Sequence, residues 1–383
     1  MTPLADTAEY YIGLMSGTSL DGADGVLVAF DNSSGRANVV SSATCPFTTG
    51  FKSELLALNT PGTNEIHRAA LAASQLTQVY AQVVTQLTMQ GTFPFKVTAI
   101  GAHGQTVRHQ PAGTVGLPHS AYTVQLNHPA LLAELTGVDV VADFRGRDIA
   151  AGGQGAPLVP GFHREVFGQA EVGVLILNIG GIANLSVVPA LRDTHAVVRG
   201  FDCGPGNALM DTWCHQRTGQ LFDANGEWAA SGRLVSALLE SLLDTPYFSA
   251  PPPKSTGRDL FSLDWLAHKL APFAQHAPAD IQNTLTELTV RACVDSLRPH
   301  LTGCQTLIVC GGGAFNGFLM QRLQTQLPGL LVQSSAEHGL PPLQVEAAAF
   351  AWLARQTMLR RPGNIASVTG AAGARILGAI YPA

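Results

Sequence analysis

Tyr11-Ile-Gly-Leu-Met-Ser-Gly-Thr-Ser-Leu-Asp-Gly-Ala-Asp-Gly-Val-Leu-Val28 decides the fold. An apolar run enters a turn rich in glycine, hydroxyl residues and acids, and a second apolar run leaves it. The pattern predicts a β-hairpin, with strands over 10–15 and 25–30, whose tip offers backbone N–H groups and hydroxyls to an anion. Gly13, Gly17 and Gly22 allow close approach of the backbone to such a ligand. The tip residues Gly17, Thr18, Ser19, Leu20, Asp21, Gly22, Ala23 and Asp24 are therefore expected to hold a nucleotide phosphate. Carboxylates beside a phosphate require a hard cation between them, usually Mg²⁺, and Asp21 is the expected metal ligand. The plainer alternative is a polar hairpin built from turn-forming residues.

No Walker loop and no strand-borne G-x-G-x-x-G occurs in the chain. A hairpin that grips phosphate is instead the device of the actin-like and sugar-kinase superfamily, which uses one in each of two lobes. The second is found in Leu175-Ile-Leu-Asn-Ile-Gly-Gly-Ile-Ala-Asn-Leu-Ser-Val-Val188, with Gly180, Gly181 and Asn184 at or beside its tip. Thr306-Leu-Ile-Val-Cys-Gly-Gly-Gly313 is an apolar strand running into a glycine turn ahead of a helix. Open α/β sheets bind ligands at such places, so Gly311, Gly312 and Gly313 are expected to meet the adenosine end of a nucleotide. The alternative is a tight turn with close helix–strand packing.

Strands alternate with amphipathic helices throughout, which makes the class α/β. At 383 residues, with 46% hydrophobic and only 13% charged residues, the chain fits two lobes with large buried cores. A net charge of −5 without any basic run argues against nucleic acid or an anionic membrane as partner. The N-terminal residues lack the pattern of a signal peptide, and no apolar stretch is long enough to span a bilayer, so a cytoplasmic protein is expected. Six scattered cysteines without a C-x-x-C pair suggest buried thiols in a reducing compartment.

Asp143 closes the strand Val138–Ala142 and stands near Arg145, Arg147 and Asp148. A strand-end carboxylate facing a cleft suits a general base, and a neighbouring arginine is expected to lower its pKa and keep it ionised. A surface ion-pair cluster is the alternative. His103-Gly-Gln-Thr-Val-Arg-His109 is expected to form one polar turn, with His103, Gln105 and especially Arg108 as substrate contacts. Loop hydrogen bonding is the plain reading of the histidines. Asp202, at another glycine-flanked strand end, either orients substrate or stabilises its turn. Glu346 opens an Ala-rich helix, where an acid also complements the helix dipole.

Taken together these blocks resemble the anhydro-N-acetylmuramic acid kinase family over essentially the whole chain. The resemblance rests on Gly13–Asp24, His103–His109, Asp143-Phe-Arg145, Gly152–Pro160, Asn178–Asn184, Gly200–Asp211, Lys254–Arg258, Cys310–Ala314, Glu346–Ala354 and Pro362-Gly-Asn364, in matching order. The chain departs from the family pattern at Asn127, His128, Cys203, Phe315 and Leu343. The resemblance implies an actin-like ATPase (ribonuclease H-like) fold of two lobes with an interlobe cleft. One lobe is expected over residues 1–127 and 357–383, and the other over 128–356. It also implies ATP and Mg²⁺, a cytoplasmic homodimer, and a role in peptidoglycan recycling. In the implied reaction Asp143 deprotonates a water that opens the 1,6-anhydro bridge, O6 takes the γ-phosphoryl group, and Glu346 assists near the sugar. A non-catalytic nucleotide switch of the same fold and a sugar kinase acting on a free hydroxyl are the competing readings.

Overall fold

The computed structural model of the chain describes residues 8–17, 20–31, 37–89, 96–117, 119–252, 254–257 and 260–383. Thr18 and Ser19, expected at the first phosphate tip, and Arg258 lie outside them. Two units emerge, Met1–Val166 with Gln344–Ala383, and Phe167–Leu343.

The first unit begins with the expected hairpin. β1 (Ala8–Met15) pairs antiparallel with β2 (Gly22–Asp31), closing at the pair Met15–Asp24, and β3 (Ala37–Pro46) extends the meander. β4 (Val97–Ala102) lies parallel to β1. β5 (Gln105–Gln110) and β6 (Tyr122–Leu126) form a separate antiparallel ribbon, and β7 (Val140–Ala142) lies parallel to β4. The second unit repeats the plan. β8 (Gly173–Ile179), β9 (Ile182–Val188) and β10 (Arg199–Pro205) form an antiparallel meander, and β11 (Cys304–Cys310) and β12 (Leu331–Ser334) add in parallel, in the order β10-β9-β8-β11-β12. The C-terminal β13 (Ala379–Tyr381) returns to the first sheet beside β7, giving β13-β7-β4-β1-β2-β3. Apart from β13 the two sheets share one topology, the duplicated ribonuclease H-like core of the actin-like fold.

Each sheet is covered by helices that bury an apolar face. In the first unit the helix Glu65–Met89 places Leu76, Tyr80, Val83 and Leu87 on one buried stripe, three and four residues apart. It reaches β2 closely because Gly25 has no side chain; a Cβ there would lie 2.3 Å from Val83 Cγ1. On the other face the Ala-rich helix Val345–Met358 lies against β1 and β4. Gly13 and Gly101 are register partners on those strands, and both meet this helix's main chain. In the second unit the helix Pro278–Leu297 buries Ile281, Leu285, Leu288 and Val294 in a core shared with β8, β9 and β11. The six cysteines form no disulfide, and Cys203, Cys214, Cys293 and Cys310 are buried. No helix among the described residues is long and apolar enough to cross a membrane.

Two expectations are corrected by this architecture. Residues 128–166 and 344–356 belong to the first unit, because β7 pairs with β4 and the helix Val345–Met358 packs on β1 and β4. The stretch His103–His109 is not one polar turn. From Gln105 onward it is β5, hydrogen-bonded along β6, with Gln105 and Val107 buried in alternation.

Candidate active site

In the first unit the three mutually parallel strands end at one edge of the sheet, and two of them hand over directly to an expected site residue. Ser16 follows β1, His103 follows β4 and Asp143 follows β7. The carboxyl edge of parallel strands is where open α/β sheets bind ligands. Ser16 Oγ donates to Gln105 Oε1, and both side chains are buried. His103 N–H donates to Leu14 O at 3.0 Å, tying the end of β4 to β1.

Asp143 adopts φ +60°, a left-handed conformation that non-glycine residues rarely take and that Asp tolerates through local hydrogen bonds. Gly146 N–H donates to its Oδ1 at 3.1 Å. The carboxylate reaches solvent, yet partial desolvation pushes its pKa up, opposed by the Gly146 hydrogen bond. The expected lowering by a neighbouring arginine does not occur, because Arg145 turns elsewhere. Its Nε donates to His103 Nε2 at 3.0 Å and its Nη1 to Gly155 O at 2.8 Å. Desolvation brings the Arg145 pKa down to about 10, while the charges of Glu346 and Asp148 oppose that fall. Burial, with the Arg145 cation second, holds His103 well below the usual imidazole range, so His103 is a neutral acceptor at pH 7. Its ring packs on Phe350 at 4.6 Å between centroids, and Phe350 also meets Phe144 at 5.6 Å. Phe350 lies one helical turn after Glu346, so the same wedge that seats the helix seats the acid.

In the sequence Asp148 stands only as a charged neighbour of Asp143, with no role of its own. It is fully buried and accepts from Gly155 N–H at 2.8 Å, Asn364 Nδ2 at 2.6 Å and Thr369 Oγ1 at 2.7 Å. It thereby pins the Gly/Pro loop whose Gly155 carbonyl holds Arg145.

Other expected residues are placed differently. Arg108 is committed to Glu65 at 2.6 Å and to the Leu58 carbonyl. At the first tip, Asp21 is exposed and paired with Lys52 at 2.7 Å, and Leu20 is buried in the core with φ +57°. Gly22 is required by β3, since a Cβ would lie 2.5 Å from Cys45 O. Asp24 accepts from Thr44 Oγ1 at 2.7 Å, and its pKa is raised, by burial first and by the nearby Asp21 charge as well. A cation would relieve that repulsion, so the two acids fit Mg²⁺, with Lys52 the competing cation. Among the described residues no group of three His, Cys, Asp or Glu side chains is arranged to hold a metal. Mg²⁺ bound largely by phosphate oxygens does not need one.

In the second unit the same edge gathers the glycines. β8 ends at Gly180-Gly181 and β11 at Gly311–Gly313. Asn207 N–H donates to Gly180 O at 2.8 Å, Gly206 N–H to Gly181 O at 2.9 Å, and Asn207 Nδ2 to Ile179 O at 3.0 Å. Close packing explains Gly311, where φ is +78° and a Cβ would lie 2.4 Å from Asn178 Oδ1, and Gly313, where it would strike Ile179. Gly180 is different: the nearest atom to an added Cβ is Ile182 O at 3.7 Å, so the tip leaves room for a ligand. Asn184 sits on β9 opposite Asn178 and Asp202. The Asp202 carboxylate accepts from Ser255 Oγ at 2.9 Å and Thr256 N–H at 3.0 Å, which favours the turn-stabilising reading.

The family model for anhydro-N-acetylmuramic acid kinase matches residues 9–383. Proteins named anhydro-N-acetylmuramic acid kinase from Albidiferax ferrireducens and Variovorax paradoxus are each 58% identical, covering 98% of this chain and 100% and 99% of their own. One of that name from Ralstonia nicotianae is 54% identical, covering all of both chains. Among solved structures, xylulose kinase from Rhodospirillum rubrum matches with a TM-score of 0.45 and 14% identity over 90% of this chain and 89% of that one.

Proposed function

Because this chain belongs to the anhydro-N-acetylmuramic acid kinase family, a family of phosphotransferases, we propose that Asp143 is the general base of its reaction. A water molecule loses a proton to the Asp143 carboxylate and attacks the anomeric carbon of 1,6-anhydro-N-acetylmuramic acid. The C1–O6 bond breaks with its electron pair going to O6. O6 then bonds to the γ-phosphorus of ATP as the bond to ADP breaks, giving N-acetylmuramic acid 6-phosphate. One carboxylate suffices, because the phosphoryl group captures the leaving oxygen that a glycosidase would protonate with a second.

The observation that carries this assignment is the backbone of Asp143. A non-glycine residue at φ +60° on the ligand-binding edge of a sheet is kept there against a local cost, as residues at reacting centres are. Its raised pKa brings the base nearer to neutral pH than an ordinary aspartate, which improves proton acceptance. Arg145, held by His103 and Gly155, feels the charge of Glu346, which we assign beside the sugar. Gln105 is assigned to the same sugar pocket. Arg108 acts as a positioning group for the Leu58–Glu65 connection, and Asp202 for the Ser255–Thr256 segment. We assign the ATP phosphates to Gly17–Asp24 in the first unit and to Gly180, Gly181 and Asn184 in the second, and the adenosine to Gly311–Gly313. Mg²⁺, with Asp21 as its protein ligand, neutralises charge on the phosphoryl oxygens when bound. The protein is proposed to act in the cytoplasm as a homodimer.

The test is ATP consumption by purified protein with the anhydro sugar against the ring-opened sugar. Turnover with the anhydro sugar is expected. Turnover with the ring-opened sugar alone would make the protein a conventional sugar kinase and remove the need for a base that activates water.

A further inference from the structure

The second unit contains a cavity of about 400 Å³ that none of the glycine-tip residues lines. It lies between the helix Ala208–Thr218, the helix Leu263–Leu270 and the first turn of the helix Pro278–Leu297. Leu266, Leu270 and Ile281 give it an apolar floor. Trp213 forms a fixed aromatic wall, because its Nε1 donates to Pro278 O at 2.9 Å. The Arg217 guanidinium lies over the Trp213 ring at 4.1 Å, which puts a cation at the edge of the apolar space. Gln216 and His276 add further polar groups to the lining, and a cavity of this size that combines apolar walls with polar groups has the make-up of a small-molecule site.

We propose that this cavity is an effector site for a small apolar organic anion, coupled to the second glycine tip. The ligand class follows from the walls: an apolar body between Trp213 and Leu266, and a single negative charge on Arg217. The coupling follows from what the walls are attached to. The helix Ala208–Thr218 starts on the tip itself, where the N–H groups of Gly206, Asn207 and Ala208 donate to Gly181, Gly180 and Gly181 carbonyls at 2.9, 2.8 and 3.2 Å. The helix Pro278–Leu297 holds the same segment from the other side. Its Thr289 Oγ1 donates to Pro205 O at 3.2 Å and Gly206 O at 2.9 Å. A ligand that moves either helix therefore moves the carbonyl frame of Gly180-Gly181. This inference rests on the assignment of ATP phosphates to that tip. By linkage, whatever factor the anion applies to ATP affinity, ATP applies to the anion.

The probe is 8-anilinonaphthalene-1-sulfonate, titrated by fluorescence into the full chain and into two variants. Ala267→Trp fills the cavity from an exposed position on its rim and leaves the core untouched. Arg217→Gln removes the cation from an exposed side chain. Saturable one-site binding is expected, abolished by Ala267→Trp and weakened at least about fivefold by Arg217→Gln. ATP affinity at saturating probe is expected to change by about fivefold or more, with the same factor appearing in the reverse titration. Probe binding that survives Ala267→Trp unchanged would overturn the site. Binding there with identical ATP affinity in the presence and absence of probe would overturn the effector role. A chain that binds the probe but no ATP at all would instead refute the nucleotide assignment.

Discussion

Gly101→Ala tests whether the helix carrying Glu346 is seated by the absence of side chains on β1 and β4. An added Cβ at Gly101 would lie 2.0 Å from Phe350 O and 2.8 Å from Phe350 C, and at Gly13 1.8 Å from Ala347 O. These are main-chain atoms of a buried helix and cannot rotate aside as the end of a long side chain could. A carbon–oxygen contact needs roughly 3.3 Å, so the helix must recede by more than about 1 Å. A gap of that size forfeits about a quarter to a half of the dispersion energy of each contact it opens. Nearly every residue of the helix Val345–Met358 is buried, so the loss is spread over Ala347, Phe350, Ala351 and Ala354 together. Overpacking of this kind costs about 1–3 kcal/mol, and the rigidity of both partners places Gly101→Ala near about 3 kcal/mol. Urea denaturation followed by circular dichroism reads that figure, and kcat is expected to fall because Glu346 moves with the helix. Gly50→Ala, where nothing lies within 4 Å of the new Cβ, serves as control and is expected to be neutral or slightly stabilising. A Gly101→Ala protein within about 0.5 kcal/mol of the parent would refute the reasoning.

Asp148→Ala is expected to destabilise the protein by about 3 kcal/mol or more, because it strands the Gly155, Asn364 and Thr369 donors in a buried site. A loss below about 1 kcal/mol in the same denaturation assay would contradict the anchoring role. Acid should weaken the fold through two buried histidines. Burial holds His103 well below its usual pKa of 6.5 and brings His163 down to about 3, so the unfolded chain takes up protons first as pH falls. Their contribution is complete above pH 6.5 and is lost as pH falls from there toward the folded values, at up to about 1.4 kcal/mol per pH unit for each histidine. Denaturation midpoints at pH 6.5 and 5 measure this slope, and His163→Gln should flatten it by about one proton. Equal midpoints at both values in the parent would contradict it.

How much was legible in advance depended on whether the signal was local. The hairpin at 175–188 was foreseen because its apolar runs are punctuated by Gly180-Gly181. The place of Asp143 at the end of β7 was legible because an apolar run stops on it. β5 was missed because Gln105, Arg108 and His109 make a polar sequence that is a strand only through its pairing with β6. The unit boundaries were misplaced because the fit of the helix Val345–Met358 onto β1 depends on Gly13, far away in sequence. The same holds for Arg145. Its neighbour in sequence is Asp143, but its hydrogen bonds go to His103 and Gly155, and only the folded sheet brings β4 and β7 to the same edge.

The most direct test of the account is the turnover of Asp143→Asn measured beside its ATP affinity. Asparagine keeps the shape and the acceptor oxygen for Gly146 N–H but cannot take a proton at neutral pH. The account predicts a fall in kcat of about 10²–10⁴-fold with the anhydro sugar, the range a general base contributes, and ATP binding within about twofold of the parent. Turnover close to the parent's, or loss of ATP binding in the variant, would contradict it.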